Sequence, residues 1–160
     1  MAPHFVIIGG TSGAGRTFSK RAASRGDAVS VIGRHVPDDD WTGMDNAVVY
    51  VADLRKAAEI EAAVQAILKD RGKPSHLVFY QRFRGDGDKW QGEIDVTLSA
   101  TKDLIEGFAG HFDGGEANAI VIIGSVATTF IADEQPAGYH AMKGGQKQLA
   151  KFYACLLGPK

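Results

Sequence analysis

The sequence predicts an α/β fold in which helices cover both faces of a parallel sheet. Three features carry that prediction. Short apolar runs rich in Val and Ile alternate with longer stretches of helical periodicity. The apolar runs are near-continuous rather than alternating, as in strands buried on both faces. Most of the chain's 20 glycines fall at the turns between these runs. A strand, a helix and a second parallel strand form a right-handed crossover, so the pattern builds one doubly wound sheet of about five strands.

Each element has its own justification. "HFVIIG" (His4 to Gly9) is a buried strand, and a helix runs from Gly13 to about Arg25, stopped by Gly26. "AVSVIG" (Ala28 to Gly33) is the second strand. "RHVPDDDWTGMDN" follows as a loop, with Pro37, an acidic run and Gly43. "AVVYVA" (Ala47 to Ala52) is the third strand. The stretch from Leu54 carries Ala, Ile, Val and Leu at helical period and ends at Gly72. "HLVFY" (His76 to Tyr80) is the fourth strand and "QRFRGDGDKW" a polar loop. A long helix is predicted from about Lys89 to Phe112, then a turn at "DGGEAN" and a fifth strand at Ala119 to Gly124. "SVATTFIADEQPAG" is a loop. The last helix runs from about Tyr139 to Leu157 and is ended by Gly158 and Pro159.

Composition narrows the function. The chain has 160 residues, 44% hydrophobic and 23% charged, an ordinary globular balance that suits one domain over residues 1–160. Eighteen basic and 19 acidic residues leave a net charge of -1, which offers no nucleic-acid surface. Cys155 is the single cysteine, so neither a disulfide framework nor a Cys-rich metal site is expected. No apolar run approaches a membrane span, and the N-terminus reads as a strand rather than a signal peptide. A cytoplasmic protein is the expectation.

The segment Gly9-Gly10-Thr11-Ser12-Gly13-Ala14-Gly15 joins the first strand to the first helix. Glycines there allow a tight turn and close approach of the backbone to a pyrophosphate, which the helix N-terminus attracts. No Gly-Lys-Ser/Thr follows, so this is not a Walker loop. The plain alternative is a turn with no ligand. The second strand ends "VIGRH", without the acid that would meet an unmodified ribose. Arg34 there suits the 2′-phosphate of NADP(H), with Arg16 adding charge, so NADP(H) is expected over NAD(H). Arg34 as a solvated loop residue is the competing reading. Asp53 and Leu54 follow the third strand, where ligands of such sheets collect. Asp53 suits an adenine amino group, or the N-cap of the next helix.

"YHAMK" sets Tyr139 and Lys143 one helical turn apart. An ammonium beside a phenol favours the phenolate and fits it for proton exchange with a carbonyl or alcohol oxygen. Ser125 follows the fifth strand, fourteen positions before Tyr139, at the edge where it can bond the same oxygen.

With these residues in place, the chain resembles the short-chain dehydrogenase/reductase family. "GGTSGAG", "IVIIGSVA", "YHAMK" and "LLGPK" match or resemble its segments in order, over the whole chain. The resemblance implies a Rossmann-type sheet of strand order 3-2-1-4-5. It implies Ser125 as oxyanion partner, Tyr139 as general acid/base, and Lys143 as both pKa-lowering group and ribose ligand. The cofactor set it implies is Gly9, Thr11, Ser12, Gly13, Ala14, Gly15, Arg34, Asp53, Leu54, Tyr139 and Lys143, with no metal. The substrate is then a small carbonyl/alcohol compound. The chain departs from the family at "LVFYQRFRGDG", which lacks the usual Asn-Asn-Ala-Gly, and at Thr97, where an Asn is common. Tyr80, Gln81 and Arg82 would crowd or reshape the nicotinamide side. A divergent reductase, a sugar-nucleotide or polysaccharide-modifying enzyme, and an NADP(H)-binding regulatory module with weakened catalysis are all consistent with these departures. Arg82 to Arg84 fits an anionic substrate, or a solvated loop. Family members continue past the last helix, so the chain reads as lacking the C-terminal substrate-binding portion, with its fifth strand an exposed edge. The apolar faces of the two long helices fit a homo-oligomer, dimer or tetramer, or simply cover the sheet.

Overall fold

The computed structural model describes residues 2–37, 41, 45–112 and 117–158. The acidic run and Gly43 of the first long loop, residues 113–116 of the expected turn, and Pro159 lie outside them.

Five parallel strands form one sheet: β1 (His4–Ile8), β2 (Ala28–Gly33), β3 (Ala47–Val51), β4 (His76–Phe79) and β5 (Ala119–Ile122), in the order β3-β2-β1-β4-β5. This is the predicted order. Four of the five strands stop one or two residues short of the apolar run that predicted them, at Gly9, Ala52, Tyr80 and Ile123. Each of those residues still donates one backbone bond to a neighbouring strand or its end. All four lie at the carboxyl ends of the strands.

Helices α1 (Gly13–Ser24), α2 (Ala57–Arg71), α4 (Ala100–Ala109) and α5 (Ala137–Leu157) cover the sheet, and the short α3 (Lys89–Glu93) leads into α4. The alternation of strand side chains splits the core into two layers. Phe5, Ile7, Val29, Val31 and Val78 point to one face and pack with Ala22 and Ala23 of α1. Val6, Ile8, Ile32, Leu77 and Phe79 point to the other and pack with Ile60, Val64 and Ile67 of α2 and Leu104, Ile105 and Phe108 of α4. Tyr153 of α5 joins that second layer.

Two features differ from expectation. The long helix is not uniform: between α3 and α4 the backbone widens to a π-helical segment, Ile94–Ser99. An inserted residue of this kind turns the side chains that follow, and it often marks a functional site. The last helix starts at Ala137, two residues before Tyr139, because the extended Pro136 serves as its N-cap. The fifth strand is the sheet edge, as expected. Val121 on it is 41% exposed, because α1 covers β1 to β3 and does not reach so far.

Candidate functional site

The carboxyl ends of the strands enclose a cavity of about 390 Å³. Its first wall is backbone. Gly9 turns the chain at φ 77°, in the left-handed region that favours glycine. Gly15 sits where a Cβ would lie 2.5 Å from the Gly9 carbonyl oxygen and 3.1 Å from the Tyr80 ring, so no other residue fits there. Thr11 is buried against Gly33, which has no side chain to oppose it. Ser12 is the extended N-cap of α1, yet its hydroxyl makes no cap bond. Gly13, Ala14 and Gly15 then present the first turn of α1 to the cavity.

Arg34, His35, Asp53 and Leu54 form the next wall. Arg34 is exposed, and one of its Nη2 hydrogens goes to the Arg84 carbonyl oxygen at 3.3 Å. This bond ties the end of β2 to the loop after β4. The Asp53 carboxylate receives Nε and Nη2 of Arg55, the latter at 2.6 Å, together with the Arg55 backbone N–H. The Arg55 bonds hold the Asp53 carboxyl down to about 2. Asp53 is not the cap of α2: that position belongs to Lys56. Arg55, which also lines the cavity, is a residue the sequence reading passed over.

The third wall carries Tyr139 and Lys143. Tyr139 is half-buried, and the Arg82 guanidinium carbon stands 4.6 Å over its ring centroid, within cation–π range. Lys143 is only 5% exposed. Its ammonium donates to the Ile123 carbonyl oxygen and to Gln146 Oε1, each at 2.9 Å. Burial pushes the Lys143 ammonium below its ordinary range; the Glu93 carboxylate opposes this and the Arg82 charge adds to it. The structure records neither a Tyr139–Lys143 nor a Ser125–Tyr139 bond. Ser125 stands just past Gly124 of the wall and does not itself line the cavity. Its Oγ accepts the Ala127 N–H at 3.2 Å, opening a one-turn 3-10 segment at Val126–Thr128.

Behind Lys143 runs a buried polar network that the sequence reading did not find. Gln146 Nε2 donates to Thr101 Oγ1 at 2.9 Å, and Gln81 Nε2 donates to the same oxygen at 2.8 Å. The Thr101 hydroxyl donates onward to the Thr97 carbonyl oxygen, and the Thr97 hydroxyl donates to Glu93. All are buried, with Thr97 and Thr101 fully so. The available signal was faint: polar residues at helical spacing on an otherwise apolar face.

The unusual residues after β4 therefore do three different things. Tyr80 packs on Gly15 and Phe18, under the glycine loop. Gln81 joins the network. Arg82 alone reaches Tyr139.

The model of the short chain dehydrogenase family matches residues 3–160. The chain belongs to that family. No curated protein sequence matches it. Among solved structures it is similar to the ligand-free aldohexose dehydrogenase of Thermoplasma acidophilum, with a TM-score of 0.86 at 21% identity over 99% of this chain and 62% of that one. A short-chain dehydrogenase/reductase of Serratia marcescens, with two Phe substitutions, gives 0.85 at 24% identity over 99% and 69%. Carveol dehydrogenase of Mycobacterium avium in complex with NAD gives 0.81 at 22% over 98% and 66%. The chain thus spans about 62% of the length of the aldohexose dehydrogenase. At these identities the likeness is one of fold. Among the described residues no helix is long and apolar enough to cross a membrane, and no three His, Cys, Asp or Glu are grouped to hold a metal.

Proposed function

We propose that the chain is the cofactor-binding and proton-transfer part of a cytoplasmic, homo-oligomeric oxidoreductase working between NADP(H) and a carbonyl/alcohol substrate. One observation supports this above the rest: a single cavity is lined by the glycine loop, Arg34, Asp53, Leu54, Tyr139 and Lys143. A Cβ at Gly15 would meet the Gly9 oxygen, so the first turn of α1 packs directly on the end of β1, while Gly13 leaves open space beside it. The residues present fit a dinucleotide.

A bound nicotinamide dinucleotide supplies or takes up the hydride. The chain does the rest. Gly9, Thr11, Ser12, Gly13, Ala14 and Gly15 hold the pyrophosphate at the α1 N-terminus, and Arg34 receives the 2′-phosphate with the N–H groups not given to Arg84. Asp53 and Leu54 flank the adenine, and Asp53 is ionised to accept a bond there across the working pH range. Tyr139 passes a proton to or from the substrate oxygen, and Ser125, just past the cavity wall, is the oxyanion partner proposed for the same oxygen. Lys143 stands one turn behind Tyr139 and bonds a ribose. The Ile123 carbonyl and Gln146 keep its ammonium in place. Phe152 and Leu156, four residues apart on α5 and each 57% exposed, support the homo-oligomer.

A nucleotide-binding module without turnover is the second reading, favoured by Ser125 being engaged in its own turn. Thermal unfolding decides the cofactor: NADPH is expected to raise the midpoint more than NADH, and equal shifts defeat the assignment of Arg34. Tyr139→Phe is expected to cut turnover by about 10²–10⁴ while leaving the NADPH shift intact. An NADPH shift with no turnover of any carbonyl compound leaves the binding module.

A further inference from the structure

Beside Tyr139 lies a cation that pairs with no carboxylate among the described residues. The backbone around it is fixed on both sides. Gln81, before it, is anchored to Thr101 at 2.8 Å. Phe83, after it, fills the space above Gly92, where a Cβ would come within 2.5 Å of its ring. Arg82 lines the cavity between these two anchored residues. Its guanidinium rests on the Tyr139 ring, and Nη2 donates to Gln135 Oε1 at 2.9 Å. Gln135 stands just before α5 and Tyr139 in its first turn, so the start of α5 holds the group in one orientation.

The charge has been positioned and left unspent. Among the described residues no Asp or Glu pairs with Arg82; the recorded ion pairs belong to Arg25, Arg55, Lys56 and Lys102. Its Nε is buried without a hydrogen-bond partner among the described residues. A buried donor left unpaired is unfavourable, so a guanidinium held this way gains by meeting an acceptor. Of its five N–H groups, one is given to a neutral amide. Two parallel N–H groups are the geometry that a carboxylate or phosphate takes best.

We propose that Arg82 is an oxyanion-binding residue on the substrate side of the cavity, so that the compound handled at Tyr139 carries a carboxylate or a phosphate. The inference rests on the oxidoreductase reading and adds a substrate class to it. Stacking on Tyr139 sets the anion beside the proton-transfer group rather than at Arg34, where the cofactor's phosphate is expected.

Calorimetric titration tests it on the wild-type chain, Arg82→Gln, Arg82→Lys and Arg34→Ala, each with oxalate, inorganic phosphate and neutral acetamide. The titrations are run on the protein alone and with saturating NADP⁺. Wild type is expected to bind at least one anion and not acetamide. Arg82→Gln is expected to weaken that anion at least tenfold, Arg82→Lys less, and Arg34→Ala not at all once NADP⁺ is present. Oxalate alone binding identifies a carboxylate compound, and phosphate alone a phosphorylated one. Binding of neither anion, or equal binding by wild type and Arg82→Gln, overturns the proposal. Each variant's NADPH thermal shift is read in parallel and reports its fold. A missing nucleotide shift in wild type with anion binding at Arg82 intact defeats the oxidoreductase reading and leaves the anion site standing.

Discussion

The two sides of the cavity are made of different material. On the glycine side the backbone packs closely, and the shape is set by atoms that are absent: a Cβ at Gly9 would meet Gln81 N at 2.8 Å, and one at Gly15 the Gly9 oxygen at 2.5 Å. On the Tyr139 side the shape is set by side chains, chiefly the bonds running from Lys143 through Gln146 and Thr101 to Gln81. Backbone contacts tolerate no added atom, but they ask nothing of residue type beyond glycine. A side-chain network can be rebuilt with other residues if every buried group keeps a partner.

Gly15→Val is the strongest challenge to that contrast. The added atoms meet the Gly9 carbonyl and the Tyr80 ring, and neither can withdraw without moving a strand end. A loss of about 1–3 kcal/mol in stability is expected, together with the whole NADPH shift. Urea unfolding and a nucleotide titration measure both, and a variant that keeps the shift would show that the loop is only a turn. Thr101→Val comes next. It is nearly isosteric, so packing survives, but Gln81 and Gln146 each lose their acceptor. A cost of about 1–3 kcal/mol is expected, with NADPH binding kept; Thr101→Ser restores the hydroxyl and most of the stability. If Val and Ser behave alike, the network contributes little and the two walls are not different in kind.

Glu93→Gln probes the same wall through charge. The Glu93 carboxylate favours the Lys143 ammonium against burial and Arg82. Without it the lysine gives up its proton at lower pH. If turnover needs the ammonium, the alkaline limb of kcat/KM moves to lower pH, and an unmoved limb separates Lys143 protonation from the reaction.

The sequence was most legible where the pattern is local. The strands, the glycine loop and the one-turn spacing of Tyr139 and Lys143 are each read from a few consecutive residues, and the sheet has the order that the family resemblance implied. It was least legible where contacts are remote. Arg82 meets Gln135, 53 positions away, and Gln146 meets Thr101, 45 away. Buried Thr97, Thr101 and Gln146 look like solvated helix residues until the opposing helix is known. The π-helical segment was invisible because one extra residue hardly disturbs the apolar period over a single turn. Ser125 was located correctly after β5, but nothing in its neighbours revealed that its hydroxyl closes the Ala127 turn.

The smallest expected effect tests whether the cavity walls are special at all. His4 lies at the opposite ends of the strands, buried, with Nε2 2.9 Å from Ser30 Oγ and Nδ1 3.3 Å from the Lys73 carbonyl oxygen. Burial keeps its imidazole below the usual 6.5, helped by the Arg71 charge and opposed by the Lys73 bond. In the unfolded chain the ring takes up a proton near 6.5, while the folded chain stays neutral to lower pH. Between those two points the unfolded state binds more protons, so stability falls as pH falls and levels off below the folded value. His4→Gln retains a polar group toward Ser30 and removes the titration. Its unfolding free energy is expected to lose this acid-dependent part, with the NADPH shift at neutral pH unchanged. Identical pH slopes for wild type and variant would defeat the assignment of His4. A lost NADPH shift would mean that the two ends of the strands are coupled, and the contrast between the cavity's walls would then belong to the whole sheet.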